Sequence, residues 1–156
     1  RQANLICFPE NCLYLRLKDG EPILGFELSD PLFDQIAKWA RSNETSVHLG
    51  SVPLKLQHGL FNASVWITSD GKVQSTYNKT HLFDIELEGQ KPIRESDVFR
   101  HGSGPQTFNL GNWRLGQSIC YDVRFSDLYH VYGSLGVDLI LVPSAFLVTT
   151  GQAHWE

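Results

Sequence analysis

Asn112-Trp113-Arg114-Leu115-Gly116-Gln117-Ser118-Ile119-Cys120-Tyr121-Asp122-Val123-Arg124-Phe125 is the stretch in which the chain changes period, and that change decides the fold class. Residues 112–119 read as a strand returning from Phe108 to Leu110 through a turn near Gly111. Asp122 can then cap a helix from about Val123 to Leu135, with Phe125, Leu128, Tyr129 and Tyr132 on its buried face. Gly136 stops it, as a glycine just past a helix C-terminus does. Val137 to Val142 follows as a near-continuous apolar run, the pattern of a strand buried on both faces. Strand, helix, strand in this order predicts an α/β sandwich with mixed sheets. It also sets Cys120 where a strand ends and a helix begins, a position that lowers a thiol pKa and offers backbone N–H groups to an oxyanion. The alternative for Cys120 is a small buried hydrophobe.

The same alternation extends upstream. Leu5 to Phe8 is a short apolar strand halted by Pro9, whose missing N–H ends central pairing, and Glu10 follows at its C-terminal end. Residues 18–22 are turn chemistry. From Asp30 the sequence predicts a helix, with Asp30 as N-cap, Pro31 in the first position, and Phe33, Ile36, Ala37 and Ala40 on one face. Ser46 to Val52 and Leu60 to Thr68 read as strands, and Val73 to Tyr77 pairs back through the turn Ser69-Asp70-Gly71-Lys72. Lys79 lies where that return strand stops. Between His81 and Gln106 no period holds, and a loop of that length in a compact domain points to function.

Composition bounds what such a fold can do. The chain has 156 residues, 42% of them hydrophobic, with 9 Phe and 4 Trp, which supplies a core and excludes a disordered chain. The net charge is −4 and no basic run tracks a phosphate backbone, so nucleic acid is not an expected partner. No segment approaches the roughly 20 apolar residues of a membrane helix. Three cysteines are too few for a disulfide scaffold and favour a reducing compartment, so a cytoplasmic location is expected, or a mitochondrial one in a eukaryote. The Cys7 to Cys12 spacing fits no zinc site, and neither a metal nor another cofactor is expected.

Three strand ends thus present a carboxylate, an ammonium and a thiol, in Glu10, Lys79 and Cys120. A carboxylate can take the thiol proton and a lysine can stabilise charge developing on a carbonyl oxygen, which are the parts of acyl transfer through a thioester. The alternative for Glu10 and Lys79 is a solvated surface charge, and spacing alone leaves their convergence open. A serine elbow at Ser118 lacks its second glycine in Gly116-Gln117-Ser118-Ile119-Cys120. A papain-like pairing of Cys120 with His81 or His154 is the chemical rival, and a fold-retaining module without turnover is the rival of another class.

Four motifs carry a resemblance: Phe8-Pro9-Glu10, Asn78-Lys79-Thr80-His81-Leu82-Phe83-Asp84, Ser118-Ile119-Cys120-Tyr121-Asp122-Val123-Arg124-Phe125, and Pro143-Ser144-Ala145-Phe146 with Thr150-Gly151 and Ala153-His154-Trp155-Glu156. Together they resemble the nitrilase, or carbon-nitrogen hydrolase, superfamily. The branch they look most like hydrolyses deaminated glutathione, with the ω-amidase branch its neighbour.

The resemblance implies a four-layered α-β-β-α sandwich and a catalytic triad of Glu10 as general base, Lys79 as oxyanion stabiliser and Cys120 as nucleophile. Glu95 is implied as a second acid, the Tyr121 N–H as an oxyanion donor, and Arg124, Phe146 and Thr150 as substrate neighbours. Arg124 can alternatively pair with an acid in the helix that follows. The expected reaction is hydrolysis of a small carboxamide, deaminated glutathione or a related ω-amide, to a carboxylic acid and ammonia, by a homodimer or higher homo-oligomer. Ser126-Asp127 and Arg100-His101-Gly102 depart from the superfamily's usual residues. Its domain is longer than this chain, so residues 1–156 are expected to be the central portion of one such domain, cut at both ends.

Overall fold

A computed structural model of the chain describes residues 3–14, 21–86, 91–148 and 151–152. Nine strands and two α-helices occur among them. The first sheet has the order β1-β2-β3-β4, from β1 (Leu5–Cys7), β2 (Ser46–Leu56), β3 (Gly59–Ile67) and β4 (Val73–Asn78). β1 runs parallel to β2, and the other two pairs are antiparallel. The helix α1 (Pro31–Ser42) starts as its sequence predicts, with the Asp30 side chain accepting from the Leu32 N–H at 3.0 Å and Pro31 in the first turn. Its Phe33, Ala37 and Ala40 pack on Val47, Leu49, Val52 and Leu54 of β2 and on Phe61, Ala63, Val65 and Ile67 of β3. Because side chains alternate along a strand, Asn62, Ser64 and Trp66 of β3 are committed to the opposite face. All three are buried there.

That opposite face meets a second sheet, ordered β7-β8-β9, from β7 (Thr107–Leu110), β8 (Trp113–Gln117) and β9 (Leu139–Leu141). Trp66 packs at a tilt against Phe108 with ring centroids 4.1 Å apart, and His48 Nε2 lies 3.1 Å from Gln117 Oε1, so the two sheets face each other. The helix α2 (Ser126–Ser134) covers the far side of the second sheet. A Cβ at Gly116 would press on the Tyr132 ring, and the Tyr132 hydroxyl donates to the Gln117 carbonyl. The layers are therefore α1, first sheet, second sheet, α2, the expected four-layered order.

Three expectations are corrected. The second helix begins at Ser126, not Val123, because residues 120–124 form a separate 3-10 turn that ends on an extended Phe125, with ψ 92. Its buried face carries Leu128 and Tyr132, with Tyr129 half-buried. The apolar run at 137–142 gives only a three-residue edge strand with Leu139 exposed, since β8 covers one edge of β9 and no described strand covers the other. The loop at 81–106 holds a two-stranded ribbon of β5 (Asp84–Ile85) and β6 (Ile93–Arg94), followed by a 3-10 turn at Glu95–Asp97. The turn cluster at 18–22 lies largely outside the described residues.

His48 makes the layer between the sheets pH-sensitive. Burial pulls its pKa down to about 4, against an opposing hydrogen bond to Gln117, while the ordinary value is 6.5. The unfolded chain therefore takes up this proton first, so its contribution to stability is complete above pH 6.5 and is lost as pH falls toward 4. The loss across that window should be about 3 kcal/mol, and His48→Gln should flatten it in urea unfolding followed as a function of pH.

Candidate active site

Glu10 leaves β1 on a turn that the protein holds against β2. The Phe8 N–H donates to the His48 carbonyl at 2.8 Å, the Ser51 N–H to the Pro9 carbonyl at 3.3 Å, and the Asn11 N–H to the Ser51 hydroxyl at 3.0 Å. This approach requires Gly50, where any Cβ would overlap the Phe8 and Pro9 carbonyl oxygens and the Pro143 ring. Gly50→Ala must push the Glu10 turn outward; it should cost about 1–3 kcal/mol of stability and lower turnover, measured by thermal unfolding and initial rates.

Lys79 is placed from the other side. Its N–H donates to the Asn62 carbonyl at 2.9 Å, and its own carbonyl accepts from the Gly102 N–H at 2.8 Å. A side chain at Gly102 would overlap the Asn78 carbonyl, so Arg100-His101-Gly102 is the strap that orders the end of β4. Arg100 N–H bonds the Leu60 carbonyl at 2.8 Å and continues that strap onto β3.

Cys120 sits at φ 47, a left-handed conformation unusual for a residue with a Cβ, as the first residue of the 3-10 turn that follows β8. Two anchors hold it. Its N–H donates to the Pro143 carbonyl at 2.9 Å. Two residues on, the fully buried Asp122 carboxylate accepts from the Ile119 N–H at 2.9 Å, the Tyr77 hydroxyl at 2.8 Å, and the N–H and Nδ1 of His81, each at 2.8 Å. Asp122 is therefore a clamp on the nucleophile's turn and does not cap α2.

These elements bring Glu10, Lys79, Glu95 and Cys120 together. Lys79 Nζ lies 2.9 Å from Glu10 Oε1 and 2.9 Å from Glu95 Oε2. Glu10 Oε2 accepts from the Ala145 N–H at 2.9 Å, and Glu95 Oε2 from the Phe83 N–H at 2.7 Å. The Cys120 thiol lies close enough for the charges of Glu10 and Lys79 to act on it. Lys79 and Glu10 are 2% and 7% exposed, so the pair is shielded from solvent. Burial alone pulls the Lys79 ammonium toward neutrality, but the charges of Glu10 and Glu95 and their hydrogen bonds outweigh it and raise its pKa.

The thiol corrects the helix-terminus expectation. Burial first, then the negative charge of Glu10, pushes the Cys120 pKa up to about 12, against the Ala145 N–H and the Lys79 charge, which pull it down. Its sulfur at neutral pH is a protonated thiol beside a carboxylate. Such a group needs a base at the moment of attack, and Glu10 is that base by position.

The remaining expected residues are distributed around this centre. Tyr121 is the second residue of the 3-10 turn, where a helix's first amides lack intrahelical acceptors, and its ring packs edge-on against Phe83 and Phe125. Phe146 packs against the cluster of Tyr77, Ile119 and Cys120. Arg124 is exposed, and it forms no ion pair with the described residues, so the pairing with a helix acid does not occur among them. Thr150 and His154 lie outside the described residues. His81 is engaged by Asp122 through Nδ1 and stacked on Phe125 at 3.7 Å, and no hydrogen bond joins it to Cys120 among the described residues.

Sequence reasoning missed Asn62, Gly50 and Asp122 as site residues. Asn62 had a signal, a buried-side amide in the alternating strand Phe61-Asn62-Ala63-Ser64-Val65-Trp66-Ile67. Gly50 in a β-rich run signalled close backbone approach.

A strained cysteine with a buried carboxylate–ammonium–carboxylate network behind it, where strand ends of an α-β-β-α sandwich meet, defines a protein with the parts of a thiol-dependent acyl-transfer site. The chain belongs to the carbon-nitrogen hydrolase family, whose model matches residues 1–156. It is 38% identical over 117 residues to the human omega-amidase NIT2, covering 74% of this chain and 42% of that protein. It is 30% identical over 159 residues to the chloroplastic omega-amidase of Arabidopsis thaliana, covering 99% of this chain and 43% of that protein. The crystal structure of XC1258 from Xanthomonas campestris, a CN-hydrolase superfamily protein, superposes with a TM-score of 0.77 at 26% identity, covering 97% of this chain and 56% of that one. The chain thus spans less than half the length of these two curated relatives. Both of these relatives carry the name omega-amidase, and neither is named for deaminated glutathione.

Proposed function

We propose that the protein to which this chain belongs hydrolyses the terminal amide of a dicarboxylic monoamide to the acid and ammonia, through a thioester on Cys120. The observation that carries this reading is the buried Glu10–Lys79–Glu95 network, with Lys79 Nζ 2.9 Å from both carboxylates, set beside a buried Cys120 whose thiol feels the charges of Glu10 and Lys79.

Glu10 removes the thiol proton as the sulfur attacks the amide carbon. Two of the three N–H donors of Lys79 go to Glu10 and Glu95, and the third, unspent among the described residues, turns toward the forming oxyanion with the Tyr121 N–H. The proton held by Glu10 passes to the nitrogen, the C–N bond breaks, and ammonia leaves. Glu10 then takes a proton from water, hydroxide attacks the thioester carbon, and collapse of the second tetrahedral species expels the thiolate. That thiolate recovers its proton from Glu10 and frees the acid.

Arg124 supports the choice of an acidic substrate, because its exposed guanidinium, four residues beyond the nucleophile, has no carboxylate partner among the described residues. The relatives' names support the same choice. Ammonia release from a panel of dicarboxylic monoamides, neutral aliphatic amides and deaminated glutathione tests it. Dicarboxylic monoamides should have the highest kcat/KM. Arg124→Ala should raise their KM about tenfold and leave neutral amides unaffected, which corresponds to the loss of one charge-assisted contact. Preference for neutral amides would overturn the substrate class, and no hydrolysis of any amide by the full-length protein would favour the non-catalytic module.

A further inference from the structure

Glu10 and Glu95 place two carboxylates around a single ammonium, so the Lys79 cluster carries one negative charge too many for a buried site. Asn62 meets that excess. Its Nδ2 donates to Glu10 Oε1 at 3.1 Å and to Glu95 Oε1 at 2.7 Å, which closes a ring of Lys79, Glu10, Asn62 and Glu95. Both amide hydrogens are spent on carboxylates, so the amide cannot be turned over without directing its oxygen at two anions.

The cost of this orientation is visible. Asn62 is 1% exposed, and its Oδ1 is buried with no hydrogen-bond partner. An unpaired buried carbonyl costs about 1–3 kcal/mol, and an apolar side chain on β3 would avoid it. The alternatives would alter the charge balance. An aspartate would add a third anion, a lysine would neutralise the base, and a leucine would leave Glu95 Oε1 without this donor. Only a neutral double donor bridges the two carboxylates and leaves both able to act.

We infer that Asn62 is a positioning residue for the reaction, fixing the rotamer and spacing of Glu10 and Glu95 so that Glu10 presents its base to the Cys120 thiol. This rests on the proposed hydrolysis. The ionisable groups around the amide are Glu10 from the turn after β1, Lys79 from the end of β4 and Glu95 from the 3-10 turn, with the Cys120 thiol beside Glu10.

The test compares wild type, Asn62→Leu, Asn62→Asp and Cys120→Ala in the full-length protein, with kcat and KM for a dicarboxylic monoamide measured across pH beside thermal unfolding. Asn62→Leu should lower kcat about 10²-fold with KM within a factor of about two, as expected for a misplaced base. Asn62→Asp keeps the shape and so guards against simple misfolding; it should move the acid limb of kcat upward by about one pH unit or more. Variants that unfold more easily but keep the wild-type kcat and acid limb would reduce Asn62 to a structural role and overturn the inference. Should that happen while Cys120→Ala is inactive, the proposed hydrolysis stands without it; if Cys120→Ala retains activity, the hydrolysis reading itself falls.

Discussion

Cys120→Ala should abolish amide hydrolysis, with turnover down about 10⁴-fold or more, while the protein keeps its fold. No neighbouring group can replace the sulfur. Cys7 is exposed, and Cys12 lies at the turn beyond Glu10 with its thiol donated to the Ser51 carbonyl. Stability should change little, because alanine removes one small atom and inherits the backbone strain that cysteine already bears at φ 47. Circular dichroism and thermal unfolding of the variant, measured beside ammonia release, separate loss of the nucleophile from loss of structure.

Lys79→Met should cost both activity and stability, and the second effect distinguishes it from Cys120→Ala. Removal of the ammonium leaves Glu10 and Glu95 buried with only neutral donors, a loss of about 3–5 kcal/mol. Turnover should fall about 10²- to 10³-fold from loss of the oxyanion contact alone. The pH dependence has a definite sign. Because the Lys79 pKa is raised above its ordinary value of 10.5, the ion pair's contribution is complete below that pH and is lost as pH rises through the folded value. The difference in unfolding free energy between wild type and Lys79→Met should therefore be largest at neutral pH and shrink in strong alkali. A variant as stable as wild type at neutral pH would contradict the buried network.

What the sequence disclosed, and what it withheld, follows from which forces act locally. Pro9 stopping a strand, Asp30 capping a helix and Gly136 ending one are decided within a few residues, and all are present in the structure. The first sheet follows from alternation in β3, which sorts Phe61, Ala63, Val65 and Ile67 to α1. Asp122 was misread because its cap-like position is a local signal. Tyr77 and His81, distant in sequence, claim its carboxylate and convert the start of the helix into a 3-10 turn. The thiol pKa was misread for the same reason, since a helix terminus is visible in sequence whereas burial beside Glu10 is not. Glu10, Lys79 and Cys120 were legible as strand ends, but their convergence depends on Gly50 and Gly102, whose missing side chains let three segments approach.

The central claim is a covalent bond between Cys120 and the acyl group. Acid quenching of the full-length protein during turnover of a dicarboxylic monoamide, followed by peptide mass spectrometry, tests it directly. The account predicts that the peptide carrying Cys120 gains the mass of the acyl group less one hydrogen, and that the gain is absent from Cys120→Ala. Ammonia release with no adduct on Cys120, or with the adduct on another residue, would contradict it.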